Sequence, residues 1–288
     1  RLAATGVVGG LWFAHTAVVQ PLKLARGLAA AVERRGGVIY ERTPAVALDD
    51  GVLTPGGRVR ADAVVLAVEA YQRDLPGRRR TLVPLYSQMI ATEPLPGEVW
   101  DSIGLADRET FADDRYLVIY GQRTADDRIA FGARGDPAYL FGSRISRDAE
   151  TRAHARIAAT LRELLPQVAG AEITHRWGGV LGVPRDWRPS VVWDERTRLG
   201  VPGGYVGEGV AAANLAGRTL AELIAGEDSE RTHLAWVGHR SRRWEPEPLR
   251  WAAINAAFAA LGWADAREAR TGKPSLLARR LMRLIGKR

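Results

Sequence analysis

The chain has 288 residues, 46% of them hydrophobic and 26% charged, which is the balance of a folded globular protein and not of a disordered or fibrous one. Cysteine is absent, so disulfides, thiolate metal sites, iron–sulfur clusters, cysteine nucleophiles and cofactors attached through sulfur are excluded. The net charge of +8 is uneven: 13 basic and 4 acidic residues fall between 231 and 288, leaving the first 230 residues near neutral. With no basic motif interleaved with aromatics, a nucleic-acid partner is not expected. No apolar run approaches the roughly 18 to 20 residues of a membrane span, and residues 1–10 lack the regions of a secretory signal, so the expectation is a cytoplasmic protein.

The chain starts at Arg1 without a methionine, just ahead of the structured-looking segment GVVGGLWF, and is expected to be part of a longer protein. Pro21 opens a helix in which Leu24, Leu28, Ala31 and Val32 recur at helical spacing, and Gly36 and Gly37 end it. VIYERTPAVAL and GVLTPGGRVRADAVVLAV follow as short valine-rich runs, read as a strand, a small meander and then VVLAV, a strand apolar enough to be covered on both faces. From Leu82 to Gly135, alternating runs (TLVPLYSQMIATEPL, RYLVIYGQR, RIAFGARG) predict an antiparallel sheet, with a turn at Thr124 to Asp127. A helix is predicted over Asp148 to Leu165, stopped at Pro166. Strands return at ITHRWGGVLGV and SVVWD.

The order is α/β, antiparallel sheet, α/β. It implies an α/β (α+β) fold in which a nucleotide-binding layer is interrupted by an inserted antiparallel sheet. The expected segments are 1–80 and 176–228 for the nucleotide layer, 81–175 for the substrate sheet with its helix, and 229–288 for a basic helical extension.

The segment most informative about chemistry is Gly203 to Gly226. Glycines at 203, 204, 207 and 209 precede a helix bearing Leu215, Leu220, Leu223 and Ile224 on one side. Glycines let a ligand approach the backbone, and unpaired N–H groups at a helix start favour an anion or an electron-rich carbonyl. A tight strand-to-helix turn explains the glycines equally well. No G-x-G-x-x-G occurs in the chain.

These segments, with VVQPLKLARGLAAAVERRGGVIYERTP, ATEPL, HRWGGVLGVPRDWRPSV and WEPEPLRW, taken in order, resemble the FAD-dependent oxidoreductases of the D-amino-acid oxidase and sarcosine oxidase type. The nearest branch is that of the gamma-glutamylputrescine oxidoreductase-like enzymes. The resemblance implies a Rossmann-like FAD layer and an amine or amino-acid substrate whose C–N bond is oxidised by hydride transfer to flavin N5, the imine then hydrolysing. Oxygen or a quinone-type carrier would reoxidise the flavin. It implies main-chain contact with the adenine at Thr43, Pro44 and Ala45, where alanine replaces the usual valine. The family's Ala-Thr-Asn-Ala-Tyr falls on Ala67, Val68, Glu69, Ala70 and Tyr71, with changed polar residues.

By the same resemblance, Gly203, Gly204, Tyr205, Gly207, Glu208, Gly209, Val210 and Ala211 lie beside the isoalloxazine ring, and fixed N–H dipoles there stabilise the charge of a reduced flavin. Arg134, Tyr86, Trp177 and Tyr205 are the candidates on the substrate side, a guanidinium suiting a carboxylate and aromatic faces an amine. Gly179 stands about where some relatives attach the flavin through cysteine, and Ala211 where others carry a lysine, so the flavin is expected to be noncovalent. The family's G-x-G-x-x-G unit, the first βαβ of the layer, precedes everything seen here. The resemblance therefore implies half a site, inactive alone.

Blander readings stand beside these. Without the resemblance, Arg134 reads as a strand arginine facing water, Trp177 and Tyr205 as core or rim aromatics, Arg185, Asp186 and Arg188 as a solvated loop or an ion pair, and Glu208 as an acid comfortable at a helix start or lining the substrate entrance. The five histidines (15, 154, 175, 233 and 239) show no metal spacing, and neither H-E-x-x-H nor G-x-S-x-G is present. In SLLARRLMRLIGKR, Leu277, Leu281, Leu284 and Ile285 share one helical side and Arg279, Arg280, Arg283 and Lys287 the other. Packing of that stripe on the body is expected over membrane contact. The alternative to an enzyme is a scaffold that keeps the fold without FAD.

Overall fold

A computed structural model describes residues 2–134, 139–144 and 150–284. Helix α1 (Pro21–Arg34) starts as its sequence dictates: Gln20 Oε1 accepts the Lys23 amide at 2.6 Å, proline occupies the first turn, and Gly36 leaves the helix with φ 86°. Its Leu24, Leu28 and Val32 stripe is uncovered, and no residue of the helix is buried. Val38–Tyr40, expected to open a strand, joins no sheet and stays exposed. Apolar β-formers become a strand only when a neighbour takes up their N–H and C=O groups. The expected meander is present as β1 (Ala47–Leu48), β2 (Val52–Thr54) and β3 (Gly57–Val59).

The doubly covered strand expected in VVLAV is reduced to β4 (Val64–Val65). It pairs in parallel with β11 (Leu199–Gly203), Val64 opposite Leu199 and Val65 opposite Gly200. No strand among the described residues takes its other edge, so Val65 is 47% exposed. The third strand of this sheet is β10 (Ser190–Asp194), antiparallel to β11.

The antiparallel sheet has the order β6-β7-β8-β5-β9, from β5 (Val83–Thr92), β6 (Thr110–Ala112), β7 (Ile119–Arg123), β8 (Ile129–Arg134) and β9 (Ile173–Val183). β9 pairs with β5 from Ile173 to Val183, so the substrate sheet continues past the expected boundary at 175. Helices α2 (Gly97–Ile103) and α3 (Glu150–Leu164) cover one face, burying Trp100, Ile103, Ile157 and Leu161 against Ile90 and Phe131. Burial of that kind stabilises by about 1.5 to 3 kcal/mol per large side chain. Gly135 and Asp148, the expected ends of the sheet segment and start of the helix, lie outside the described residues.

Helix α4 (Gly209–Ala225) packs Ala216 and Leu220 on Val191 of β10. Leu215, expected on the same side, turns outward. The extension holds α5 (Leu249–Thr271) and α6 (Leu276–Leu284). Trp244 and Ile254 join Val83, Leu85 and Val183 in a core at the end of the substrate sheet, while Ala278 packs on Leu261 and Ala264 with Leu281 half-buried beside them. Part of the tail's apolar stripe is thus covered by the body, although Leu277 is exposed. The Leu284 side chain, Ile285 and Lys287 lie outside the described residues. No helix among the described residues is long and apolar enough to cross a membrane.

Candidate functional site

Strand alternation sorts the substrate sheet into two faces. Ile90 and Phe131 enter the helix-covered core. On the other face, Ser87 stands opposite Gly179 and Met89 opposite Trp177 across β9, and Arg134 takes the register position opposite Ser87 across β8. Trp177 is 42% exposed there. Tyr86 is one residue out of step. It is 4% exposed, and its hydroxyl donates to the Arg144 carbonyl at 3.5 Å. The structure therefore does not bring Tyr86 to the face that carries Trp177.

Sequence reasoning missed Tyr120 on β7, whose hydroxyl hydrogen-bonds with that of Ser87. To reach it the Tyr120 ring lies across Gly132 of β8, where a Cβ would stand 2.5 Å from a ring carbon. A glycine inside a strand pattern, IAFGAR, was the signal of that close approach.

β11 ends at Gly203, and the chain turns through Gly204 (φ 79°) and Gly207 (φ 103°), backbone conformations that side chains rarely adopt. The turn delivers α4 at Gly209 with no acidic residue in its first turn and no side-chain capping bond from Glu208. The first amides of α4, at Gly209, Val210 and Ala211, therefore have no side-chain hydrogen-bond acceptor, although the Glu208 carboxylate stands at the helix start. Val210 and Ala211 are exposed, and a Cβ on Gly207 would meet Leu181 of β9 at 3.7 Å. The turn thereby reaches the face of β9 that carries Gly179, two residues away, where Leu181 packs against the cluster at the end of the sheet.

On its other side the turn borders a cleft of about 470 Å³ between β4 and α4, lined by Val65, Ala67, Glu69, Tyr205, Gly209, Ala213 and Gly217 among others. Thr43, Pro44 and Ala45 are exposed in the segment before β1 and do not line it; the Thr43 hydroxyl donates to the Glu41 carbonyl at 2.9 Å.

Glu69, four residues past β4, was placed by the sequence only in the segment of changed polar residues, with no role assigned to it. Its Oε1 accepts the Gly204 amide at 2.8 Å and the Tyr205 amide at 3.3 Å, while Oε2 is buried with no hydrogen-bond partner. Burial pushes its carboxyl upward against the lowering pull of the Tyr205, Gly204 and Gly182 amides. Burial also pushes the Tyr205 phenol up to about 12, with the Glu69 charge adding to it. The signal for Glu69 was an acid in the apolar approach AVEAY.

The loop charges take the bland reading. Arg185 pairs with Glu245 at 3.0 Å, and Asp186 with His239 at 2.7 Å, tying the loop after β9 to the extension. His175 Nδ1 meets its neighbour's hydroxyl, Thr174 Oγ1, at 2.9 Å. Among the described residues no cluster of His, Asp or Glu could hold a metal.

With this geometry in place, comparison with known proteins identifies the family. The chain belongs to the FAD dependent oxidoreductases (DAO), whose family pattern matches residues 1–223. It is 31% identical over 240 residues to a probable oxidoreductase OrdL of Rhizobium meliloti, covering 80% of this chain and 52% of that protein. It is also 31% identical over 261 residues to the gamma-glutamylputrescine oxidoreductase of Escherichia coli, covering 84% and 56%. The chain thus spans about half the length of the curated relatives it matches.

The fold is similar to crystal structures of glycine oxidase from Geobacillus kaustophilus (TM-score 0.58, 22% identity, 72% of this chain and 54% of that one) and of L-proline dehydrogenase from P. horikoshii (0.61, 19%, 73% and 56%). The expected α/β fold with an antiparallel sheet is accordingly the family fold. The family is FAD-dependent. The glycine turn and the start of α4 fit the electron-rich edge of a flavin, because they present backbone N–H groups to which no side chain hydrogen-bonds as a cap.

Proposed function

We propose that this chain forms the flavin-edge and substrate portion of an enzyme that oxidises a C–N bond of an amine or amino acid with noncovalent FAD. The observation that carries the reading is the approach of Gly207 to Leu181, which sets an uncapped helix start beside an open sheet face bearing Ser87, Met89, Trp177 and Tyr120. FAD, when bound, supplies the two-electron acceptor for the C–N bond.

This chain's residues supply the rest. The amides around Gly209, Val210 and Ala211 hold the electron-rich edge of the cofactor and stabilise added negative charge with dipoles already in place. Gly179 gives it room, and the absence of cysteine fits noncovalent attachment. Trp177 and Met89 exclude water and present an aromatic face to an amine, while the Tyr120 and Ser87 hydroxyls orient a polar group of the substrate. The register position of Arg134 suits a substrate carboxylate. Tyr205 lines the cleft between β4 and α4 and is not counted among the groups that meet the substrate. Oxygen or a quinone-type carrier is the electron acceptor in this reading. The name of the gamma-glutamylputrescine relative supports an amine over other reductants.

The experiment is the visible spectrum of the protein expressed from its complete reading frame with FAD, before and after anaerobic addition of amines and amino acids. Bleaching of the flavin band by one of them is expected. A protein that takes up no FAD overturns the reading.

A further inference from the structure

We propose that Glu69 is a positioning residue that clamps the Gly203–Tyr205 turn to β9 of the substrate sheet, and so sets how the two halves of the candidate site meet. Three separate elements converge on this one carboxyl group. Glu69 follows β4, its Oε1 accepts the amides of Gly204 and Tyr205 at 2.8 and 3.3 Å, and its Oε2 lies against β9, 1.9 Å from where a Cβ on Gly182 would stand. Gly182 therefore leaves the room that the carboxyl fills. The clamp continues into the helix, since the Tyr205 carbonyl accepts the Glu208 amide at 3.0 Å, immediately before α4.

The arrangement is costly by itself. Glu69 has a left-handed backbone (φ 45°), unusual for a residue with a side chain, and Oε2 is buried with no well-formed hydrogen bond, only the nearby Gly182 amide offsetting its desolvation. A costly conformation that persists at a site is held there by its surroundings. What this one secures is the turn that presents the uncapped start of α4.

The consequence for FAD rests on the flavin reading, but the clamp itself is tested on the chain without cofactor. Amide hydrogen exchange is measured by NMR in wild type, Glu69→Ala, Glu69→Gln and Gly182→Ala. Glu69→Ala speeds exchange at Gly204 and Tyr205 about tenfold or more, the size expected for losing a charge-assisted acceptor, while the amides of Leu220 and Ile90 are unchanged. Glu69→Gln, which keeps an acceptor oxygen, restores most of the protection. Gly182→Ala displaces the carboxyl and reproduces the alanine pattern.

In parallel, the affinity for FAD and the shape of its visible band change in Glu69→Ala and recover in Glu69→Gln. Unchanged exchange at Gly204 and Tyr205, a uniform rise across α4 and β5, or a loss that Glu69→Gln does not restore would each overturn the clamp. A wild type that takes up no FAD while the exchange pattern holds defeats the flavin reading alone.

Discussion

The Tyr139 hydroxyl donates to Glu247 Oε1 at 2.7 Å, joining residues 108 positions apart. The same oxygen accepts the Gly142 amide at 3.0 Å and pairs with Arg250 at 3.0 Å, whose side chain is 2% exposed. Through this one carboxylate the extension is fastened to the segment that follows β8. Arg250→Met should destabilise the fold by about 3 kcal/mol, because removing one partner of a buried pair leaves the other charge uncompensated. Urea unfolding of the two proteins measures it.

The same carboxylate makes stability depend on acid. Burial alone would raise the Glu247 carboxyl, but donation from Tyr139, Arg250, Gly142 and Trp251 outweighs it and holds the group below the usual range. A depressed folded value gives stability that is present above the unfolded carboxylate value and lost as pH falls through the folded one. Melting temperature should therefore drop more steeply below about pH 4.5 in wild type than in Glu247→Gln. Equal slopes would exclude Glu247 as the source.

Tyr205 offers an optical check on its neighbour. Its phenol stands at about 12, raised by burial first and then by the Glu69 charge. Glu69→Gln removes the second cause and leaves the first, so Tyr205 should ionise at lower pH yet still above a free tyrosine. Tyrosinate absorbance against pH, with Tyr205→Phe to assign the transition, follows it.

On the substrate face, Gly132→Ala should push the Tyr120 ring off Ser87, since a rigid ring carbon lies 2.5 Å from the added Cβ. A cost of roughly 1 to 3 kcal/mol is expected from such overpacking. Binding of a carboxylate or amine substrate analogue, read by calorimetry, should weaken in parallel with Tyr120→Phe.

A control comes from the far end of α4. Gly226 caps the helix with φ 72°, and its neighbourhood is open. Gly226→Ala should cost only the left-handed backbone penalty, about 1 to 2 kcal/mol, without altering FAD affinity. A large loss of FAD would mean that the whole helix, and not its start, governs the cofactor.

Much of this was legible in the sequence because it is local. Pro21 with the Leu24 and Leu28 spacing defined α1, and the glycines from 203 to 209 located the turn before α4 without any partner being known. What was hidden depends on register and on distance along the chain. A one-residue step separates Tyr86 in the core from Ser87 on the open face, and periodicity alone does not say which side faces the helices. The bond from Gly204 to Glu69 spans 135 positions, so no local pattern revealed it. The segment Val38–Tyr40 failed in the opposite sense, having β-forming residues but no neighbouring strand among the described residues.

The missing side chain at position 182 also constrains how this protein can change over generations. With Oε2 of Glu69 1.9 Å from a would-be Cβ, a side chain at 182 requires the carboxyl at 69 to be shortened or turned aside, whereas position 69 can shorten while Gly182 stays. Relatives that carry a side chain at 182 should therefore lack glutamate at 69, and descendants of this sequence should lose the glutamate before they gain the side chain.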